Sequence, residues 1–306
     1  MGGGRGSYFS SDPAEVKRKL YQSDESTDRG EYETRVNGFL SSKLTEFNSR
    51  DRKAINRHLA EIKKALEKEL EGSVDLLFGG SIARHTAVNG FSDVDSLVIL
   101  DSCELAEGAP NAAKDYFARR LQERFPNTEV TQGTLAVTVK FSDAEIQLLP
   151  AVSCEKHVKI SDSSGNRWAE IRPREFSNDL TRANKQGGQL VVPVIKLAKG
   201  IIYNLPEKHR ISGYHAEALA VEIFRDYRGE LTPKAMLQHY FSEASAHVRQ
   251  PIRDRTGQSK HVDDSLGASN SLERKMISDA FERVSRRMAN ADGAHSLEEL
   301  GQLYGE

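Results

Sequence analysis

The sequence predicts an α+β protein, with a strand-rich N-terminal lobe followed by a helical C-terminal lobe. Three observations predict it. Short aliphatic runs separated by turn residues fill the stretch from Val74 to Pro150. An amphipathic helical pattern from Val36 to Leu70 precedes them. From Leu190 onward the pattern is helical again, in several segments.

Residues 1–35 are rich in Gly, Ser, Asp and Glu and read as a flexible arm, with one short helical stretch possible after Pro13. Val36, Leu40, Leu44 and Phe47, then Ile55, Leu59, Ile62, Leu66 and Leu70, outline one long helix. It is kinked at Asn48-Ser49-Arg50-Asp51 and ends near Gly72. Strands follow at Val74–Phe78 and Val94–Leu100, then a helix from Asn111 to Phe125. Three more strands read as Val130-Thr131, Leu135–Phe141 and Glu145–Leu149, the last closed by Pro150. Val152 to Gly188, which holds Trp168, is polar and reads as irregular. Helices are expected over Leu190–Leu205, Tyr214–Tyr227, Pro233–Glu243 and Asn270–Ala291, the last opened by the capping pair Asn270-x-x-Glu273. Pro251 to Ala268 reads as a long loop. The N-terminal lobe is therefore 36–188 and the helical lobe 189–306.

Composition narrows the function. The 306 residues carry 43 basic and 45 acidic side chains, so no global basic field calls for long nucleic acid. Cys103 and Cys154 form neither a disulfide framework nor a metal motif, which fits a reducing cytoplasm. No apolar run is long enough to span a membrane, and the N-terminus lacks a signal-peptide core and a myristoylation pattern. No two of the nine histidines have a zinc spacing, and His85 and His215 read as surface residues. Asp263-Asp264 reads as a polar loop.

The stretch that carries chemistry is Phe78-Gly79-Gly80-Ser81-Ile82-Ala83-Arg84, followed by Ser92-Asp93-Val94-Asp95-Ser96. Strand residues two apart share a side, so Asp93 and Asp95 present two carboxylates to one space. Their repulsion is relieved by a bridging divalent cation, and oxygen-only ligands suit Mg²⁺. The Gly-Gly-Ser turn offers backbone N–H groups and a hydroxyl, as a triphosphate needs. Alone, such a turn is ordinary and such a pair is usually a solvated strand edge. The order is what is specific: strand, Gly-Gly-Ser, then an Asp-x-Asp leading straight into Val-Ile-Leu, where acids are costly to bury without a ligand.

The arrangement resembles the polymerase-β nucleotidyltransferase superfamily. The chain as a whole resembles the bacterial CD-NTases, relatives of cyclic GMP–AMP synthase and oligoadenylate synthetase that make cyclic oligonucleotide signals in CBASS antiphage defence. The resemblance extends through Phe47–Asp51, Gln147-Leu148-Leu149-Pro150-Ala151, Pro193–Lys199, Ser212-Gly213-Tyr214-His215 and Pro251–Gly257 with Val262-Asp263-Asp264. It implies a polymerase-β-like nucleotidyltransferase lobe, with a mixed sheet and helices, plus a helical C-terminal lobe. It further implies two-metal synthesis of a cyclic di- or trinucleotide from NTPs, ATP among them, using Mg²⁺ (or Mn²⁺) on Asp93 and Asp95. Gly80 and Ser81 would hold phosphates. Lys196 and Lys199, three apart on one helix, would face the triphosphate, with a solvated helix face as the other reading. Ser212 resembles a phosphate contact. Tyr214 resembles a base-stacking residue, with core packing as the alternative. CBASS accessory proteins are implied as partners, and neither a membrane nor a long nucleic acid is required. A bacterial cytoplasm is the implied location.

The sequence departs from the family at the third carboxylate, where Gln147 stands. Its amide oxygen can ligate a cation but cannot act as a base. Asp143, Glu145 and Gln147 point the same way in a strand; Glu145 could compensate, and Asp143 reads as a turn residue. An active enzyme is favoured because Asp93, Asp95 and Gly-Gly-Ser are intact. The alternatives are a nucleotide-binding pseudo-enzyme and a nucleotidyltransferase acting on a protein, RNA or small-molecule acceptor.

Overall fold

The computed structural model describes residues 13–68, 70, 73–90, 93–101, 104–153, 157–162 and 164–306, with side chains from residue 28 onward except 73. Residues 1–12 of the arm, Gly72, Ser92, Cys103 and Cys154 lie outside the described residues.

The chain opens with two helices, α1 (Pro13–Phe47) and α2 (Arg52–Glu67), where the periodicity suggested one kinked helix. Asp51 causes the break. Its backbone is extended, and its carboxylate accepts the amides of Lys53 at 2.9 Å and Ala54 at 3.0 Å, capping a new helix. Helix α1 also reaches back to Pro13, well before Val36, because proline suits a first helical position and no other proline follows before Phe47. Its Tyr32, Val36, Leu40 and Phe47 are buried in one core with the C-terminal helices.

Next come β1 (Ser73–Phe78), the single turn α3 (Gly80–Ala83), β2 (Val94–Asp101), α4 (Glu104–Glu107) and α5 (Pro110–Arg124). Strands β3 (Glu129–Gln132), β4 (Val137–Lys140), β5 (Glu145–Ser153), β6 (Val158–Ser161) and β7 (Trp168–Ile171) complete a seven-stranded sheet. Its main order is β1-β2-β5-β4-β3, with β6 on β5 and β7 on β6; β2 and β5 are parallel and the other pairs antiparallel. Alternation assigns the faces. Val94, Val98 and Leu100 of β2 join Ile146 and Leu148 of β5 beneath α2 and α5, against Ile62, Leu66, Phe117 and Leu121. The opposite face carries Asp95, Leu97 and Ile99, leaving the acids outside the larger core.

Pro150 does not end β5. The strand runs on to Ser153, because its pairing with the antiparallel neighbour β4 stops at Leu148 and its pairing with β6 begins only at Ala151. The missing N–H falls in the gap between them. The segment read as irregular also holds structure, namely β6, β7 and α6 (Pro173–Gln186). Phe176, Leu180 and Ala183 give α6 a buried stripe, with proline at its start and Gly187 at its end.

The C-terminal region is helical, with α7 (Val191–Asn204), α8 (Gly213–Ile223), α9 (Pro233–His247), α10 (Leu272–Gly293) and α11 (Leu297–Gln302), and its core takes in residues of α1 and α6. Ser271, rather than Asn270, caps α10, its hydroxyl accepting the Arg274 amide at 3.2 Å. The fully buried Arg274 secures the loop before α10, donating to the Asp263 carboxylate at 2.6 Å and to the carbonyls of Val248, Gln250, Asp263 and Gly267. Asp263 is therefore a core residue, and only Asp264 of that pair is exposed. No helix among the described residues is long and apolar enough to cross a membrane.

Candidate active site

Asp93 stands immediately before β2, and Asp95 lies opposite Gln147 in the parallel register with β5. The three side chains therefore meet on one sheet face, and Gln147 Nε2 donates to Asp93 Oδ2 at 2.7 Å. Glu145, at the start of β5, is close enough for its charge to act on Asp93. Asp143 lies in the turn before β5, its carboxylate 2.8 Å from His58 Nε2.

Backbone bonds lock the Gly-Gly-Ser turn onto this pair. The Gly79 amide donates to the Asp95 carbonyl at 2.8 Å, and the Ser81 amide donates to the Asp95 carboxylate. Gly80 has φ +49°, and a Cβ there would lie 1.7 Å from Asp95 Oδ2. Only glycine allows that approach. Ser81 is nearly buried, and its carbonyl accepts the amides of Thr86 at 2.9 Å and Ala87 at 3.1 Å.

Both carboxyls are held above the ordinary aspartate range. For Asp93 the causes are burial, then the charges of Glu145 and Asp95, opposed by Arg50. For Asp95 burial again leads, opposed by Arg84 and the Ser81 amide. Two half-buried, mutually repelling carboxylates favour a cation between them, and hard oxygen donors suit a small divalent one. Among the described residues, no three His, Cys, Asp or Glu side chains form a metal cluster. The donor set at hand is thus two carboxylates and a neutral amide.

Beneath the turn lies an ionic network that sequence reasoning missed. Glu217 of α8, wholly buried, accepts Arg84 Nε at 2.6 Å, Thr86 Oγ1 at 2.5 Å and Lys199 Nζ at 2.7 Å. Arg84 and Thr86 follow α3, whereas Lys199 and Glu217 belong to α7 and α8, so the network ties the Gly-Gly-Ser turn to those helices. Burial opposes ionisation of Glu217, but Lys199 and Arg84 outweigh it and hold its carboxyl below the ordinary value. A signal was present in the sequence: Glu217 is a lone carboxylate amid the apolar Ala216-x-Ala218-Leu219-Ala220-Val221, and such a group requires partners.

The structure gives the two lysines different partners. Lys199 is buried by Glu217, the Thr86 carbonyl at 3.1 Å and Gly213, whose added Cβ would lie 3.4 Å from Lys199 Nζ. Lys196 is half-buried and donates to Asn48 Oδ1 at the α1–α2 junction. Ser212 is exposed and caps α8, its hydroxyl accepting the His215 amide at 3.1 Å. Tyr214 is part-buried. Its hydroxyl donates to Asp254 at 2.8 Å, Phe176 packs edge-on at 4.9 Å, and the Arg84 guanidinium lies 5.5 Å from its ring centre. His85 is exposed, as expected, but His215 is buried 3.4 Å from Asp263, because α8 turns it into the helical core.

Residues 33–184 match the profile of SMODS, the Second Messenger Oligonucleotide or Dinucleotide Synthetase domain. The chain therefore carries that domain. Solved structures carry the same fold over most of the chain. Bradyrhizobium diazoefficiens CdnG, a CD-NTase in complex with GTP, is 14% identical with a TM-score of 0.64 over 87% of this chain and 93% of its own. Escherichia coli MS115-1 CdnC, from a complex with HORMA-deltaN, is 17% identical with a TM-score of 0.63 over 87% and 92%. Elizabethkingia meningoseptica CdnE, a cyclic dinucleotide synthase with GTP and Apcpp, is 14% identical with a TM-score of 0.59 over 81% and 98%. No curated protein matches the chain. The fold is thus the polymerase-β-like nucleotidyltransferase fold of the CD-NTases, with a helical C-terminal region.

Proposed function

We propose that this chain joins nucleoside triphosphates, ATP among them, into a cyclic di- or trinucleotide by metal-dependent nucleotidyl transfer, as a signal in CBASS antiphage defence. The observation that carries this reading is the meeting of Asp93, Asp95 and Gln147 on one sheet face, with Gly80 seated on the Asp95 carboxylate, inside a SMODS domain. Asp93 and Asp95 would hold Mg²⁺ (or Mn²⁺), and Gln147 would offer its amide oxygen once the amide turns over. When bound, the ion supplies acidity to an attacking ribose hydroxyl and offsets the triphosphate charge.

The chain's own residues do the positioning. Ser81 turns its hydroxyl to the phosphates while its amide fixes Asp95. Lys199, between Asp95 and the Ser212-Gly213 turn, adds positive charge; burial pushes its ammonium below the ordinary lysine value, and the ion pair with Glu217 opposes that. The Ser212 hydroxyl accepts from His215 and keeps its own proton for a phosphate oxygen. Tyr214, fixed by Asp254 and Phe176, offers a ring face to a base. The GTP-bound and HORMA-bound relatives support NTP substrates and an accessory protein partner. Such substrates set the reaction in a bacterial cytoplasm.

One observation favours a second reading, nucleotide binding without chemistry: Gln147 donates a proton to the Asp93 oxygen that a metal would need. Incorporation of labelled NTPs, with Mg²⁺ or Mn²⁺, separates the two. Product that disappears in Asp93→Asn supports synthesis; thermal stabilisation by ATP with no product from wild type supports the second reading.

A further inference from the structure

We propose that Asp254 is a positioning residue of the nucleotide site, acting through the Tyr214 hydroxyl, and that the hairpin around it sets how tightly a nucleobase is held. The inference rests on the reading that the Tyr214 ring stacks on a base.

The hairpin is closed by its own backbone. Arg253 and His261 form an antiparallel bridge, the Asp254 amide donates to the Lys260 carbonyl at 3.1 Å, and the Val262 amide donates to the Ile252 carbonyl at 2.9 Å. Within it the Asp254 side chain is buried and acts as a hub. Its Oδ1 accepts the Thr256 amide at 2.8 Å and the Thr256 hydroxyl at 2.7 Å, and its Oδ2 accepts the Ser259 amide and hydroxyl, each at 3.0 Å. Those four bonds are what an aspartate needs to hold such a turn. A fifth comes from outside: Tyr214, 40 residues earlier, donates its hydroxyl to Asp254 Oδ1 at 2.8 Å. Burial, then Asp254, keep the phenol protonated, so it remains the donor. Burial opposes ionisation of Asp254, but the donors on Thr256, Tyr214 and Ser259 outweigh it and hold the carboxyl below its ordinary value. A charged acceptor makes the bond a strong one.

The hairpin is itself anchored to the elements around Tyr214. Arg255 pairs with Asp179 of α6 and, at 2.7 Å, with Glu222 of α8, and the Arg172 amide donates to the Thr256 carbonyl at 2.8 Å. Tyr214 therefore has three fixed neighbours: Asp254 at its hydroxyl, Phe176 of α6 at an edge, and the Glu217-bound Arg84 guanidinium near the ring. A tyrosine ring turns about two side-chain torsions, and holding the hydroxyl, the atom farthest from the backbone, restrains both. A base then meets a ring that is already ordered. A ring released at its hydroxyl must be ordered on binding, which weakens binding by about threefold to tenfold.

The test is calorimetric titration of the full chain as wild type, Tyr214→Phe, Asp254→Asn and the double variant, with Mg²⁺. The probes are the α,β-methylene analogue of ATP, whose nucleotidyl group cannot be transferred, and tripolyphosphate, which has no base. Tyr214→Phe keeps the ring and removes only the hydroxyl, so it isolates the bond to Asp254. The expected result is analogue binding weaker by about threefold to tenfold in Tyr214→Phe, with a similar loss in Asp254→Asn. The double variant should be no weaker than the weaker single, because both substitutions remove one bond. Tripolyphosphate should bind every variant within about twofold of wild type, which a general loosening of the site would not allow. Melting curves check folding; if Asp254→Asn unfolds, Tyr214→Phe, which leaves the other four bonds of Asp254 in place, decides alone. Analogue binding by Tyr214→Phe within about twofold of wild type, losses that add in the double variant, or an equal loss of tripolyphosphate would each overturn the inference. Wild type that binds the analogue no more tightly than tripolyphosphate would overturn it together with the base-stacking reading of Tyr214.

Discussion

Replacing Gly80 by alanine should disable the site while leaving the fold largely intact. At φ +49°, an added Cβ would lie 1.7 Å from Asp95 Oδ2, 2.5 Å from its Cγ and 2.8 Å from its Cβ. The left-handed backbone alone costs an alanine about 1–2 kcal/mol. The carboxylate must also retreat by more than ~1 Å, and displacements of that size at reacting groups cost on the order of 100-fold in rate. Initial rates of NTP incorporation at saturating substrate, paired with urea melts, measure both effects. Gly79→Ala is the internal control. Gly79 has ordinary backbone angles, and its added Cβ would meet nothing closer than Leu97 Cγ at 3.5 Å. The reasoning is refuted if Gly80→Ala keeps a rate within about threefold of wild type, or if Gly79→Ala loses as much.

Three further outcomes follow from the geometry. Glu217→Gln should destabilise the protein by about 3–5 kcal/mol in urea melts, because Lys199 and Arg84 lose a buried counter-charge; a change under about 1 kcal/mol would contradict the network's role. Burial pushes the His215 imidazole down to about 4 from its ordinary 6.5, outweighing Asp263, which favours the charged form, while Arg274 adds to the depression. The neutral ring is thus the folded form, so its contribution is present above pH 6.5 and is lost as pH falls toward 4. Denaturant midpoints across that window should fall less steeply in His215→Gln. Gln147→Asp would supply a third carboxylate, and half-saturating Mg²⁺ for incorporation should drop by about tenfold; an unchanged value would mean that Gln147 faces no metal.

Periodicity alone located most helices and all five strands between Val74 and Pro150, because each buries a face whose spacing can be read along the chain. What it missed depended on partners distant in sequence. The break at Asp51 is a local cap within an otherwise continuous apolar stripe. Strand β5 passes through Pro150 only because β4 and β6 leave a gap there. Helix α6 carried its own signal, Phe176, Leu180 and Ala183 between Pro173 and Gly187, hidden by a polar average. At the site, alternation was enough to pair Asp93 with Asp95. The joining of Arg84 and Thr86 to Glu217 bridges more than 130 residues and has no local pattern. The same holds for Lys196 and Lys199, which share a helix face at three-residue spacing yet have different partners.

The most direct test of the central claim is mass spectrometry of the phosphatase-treated product from wild-type protein, NTPs and Mg²⁺ or Mn²⁺, beside Asp93→Asn/Asp95→Asn. The account predicts a small species built of nucleoside monophosphate units joined in a ring, without a terminal phosphate, and absent from the variant. Only linear oligonucleotides, or a nucleotide attached to a protein, RNA or small molecule, would contradict it.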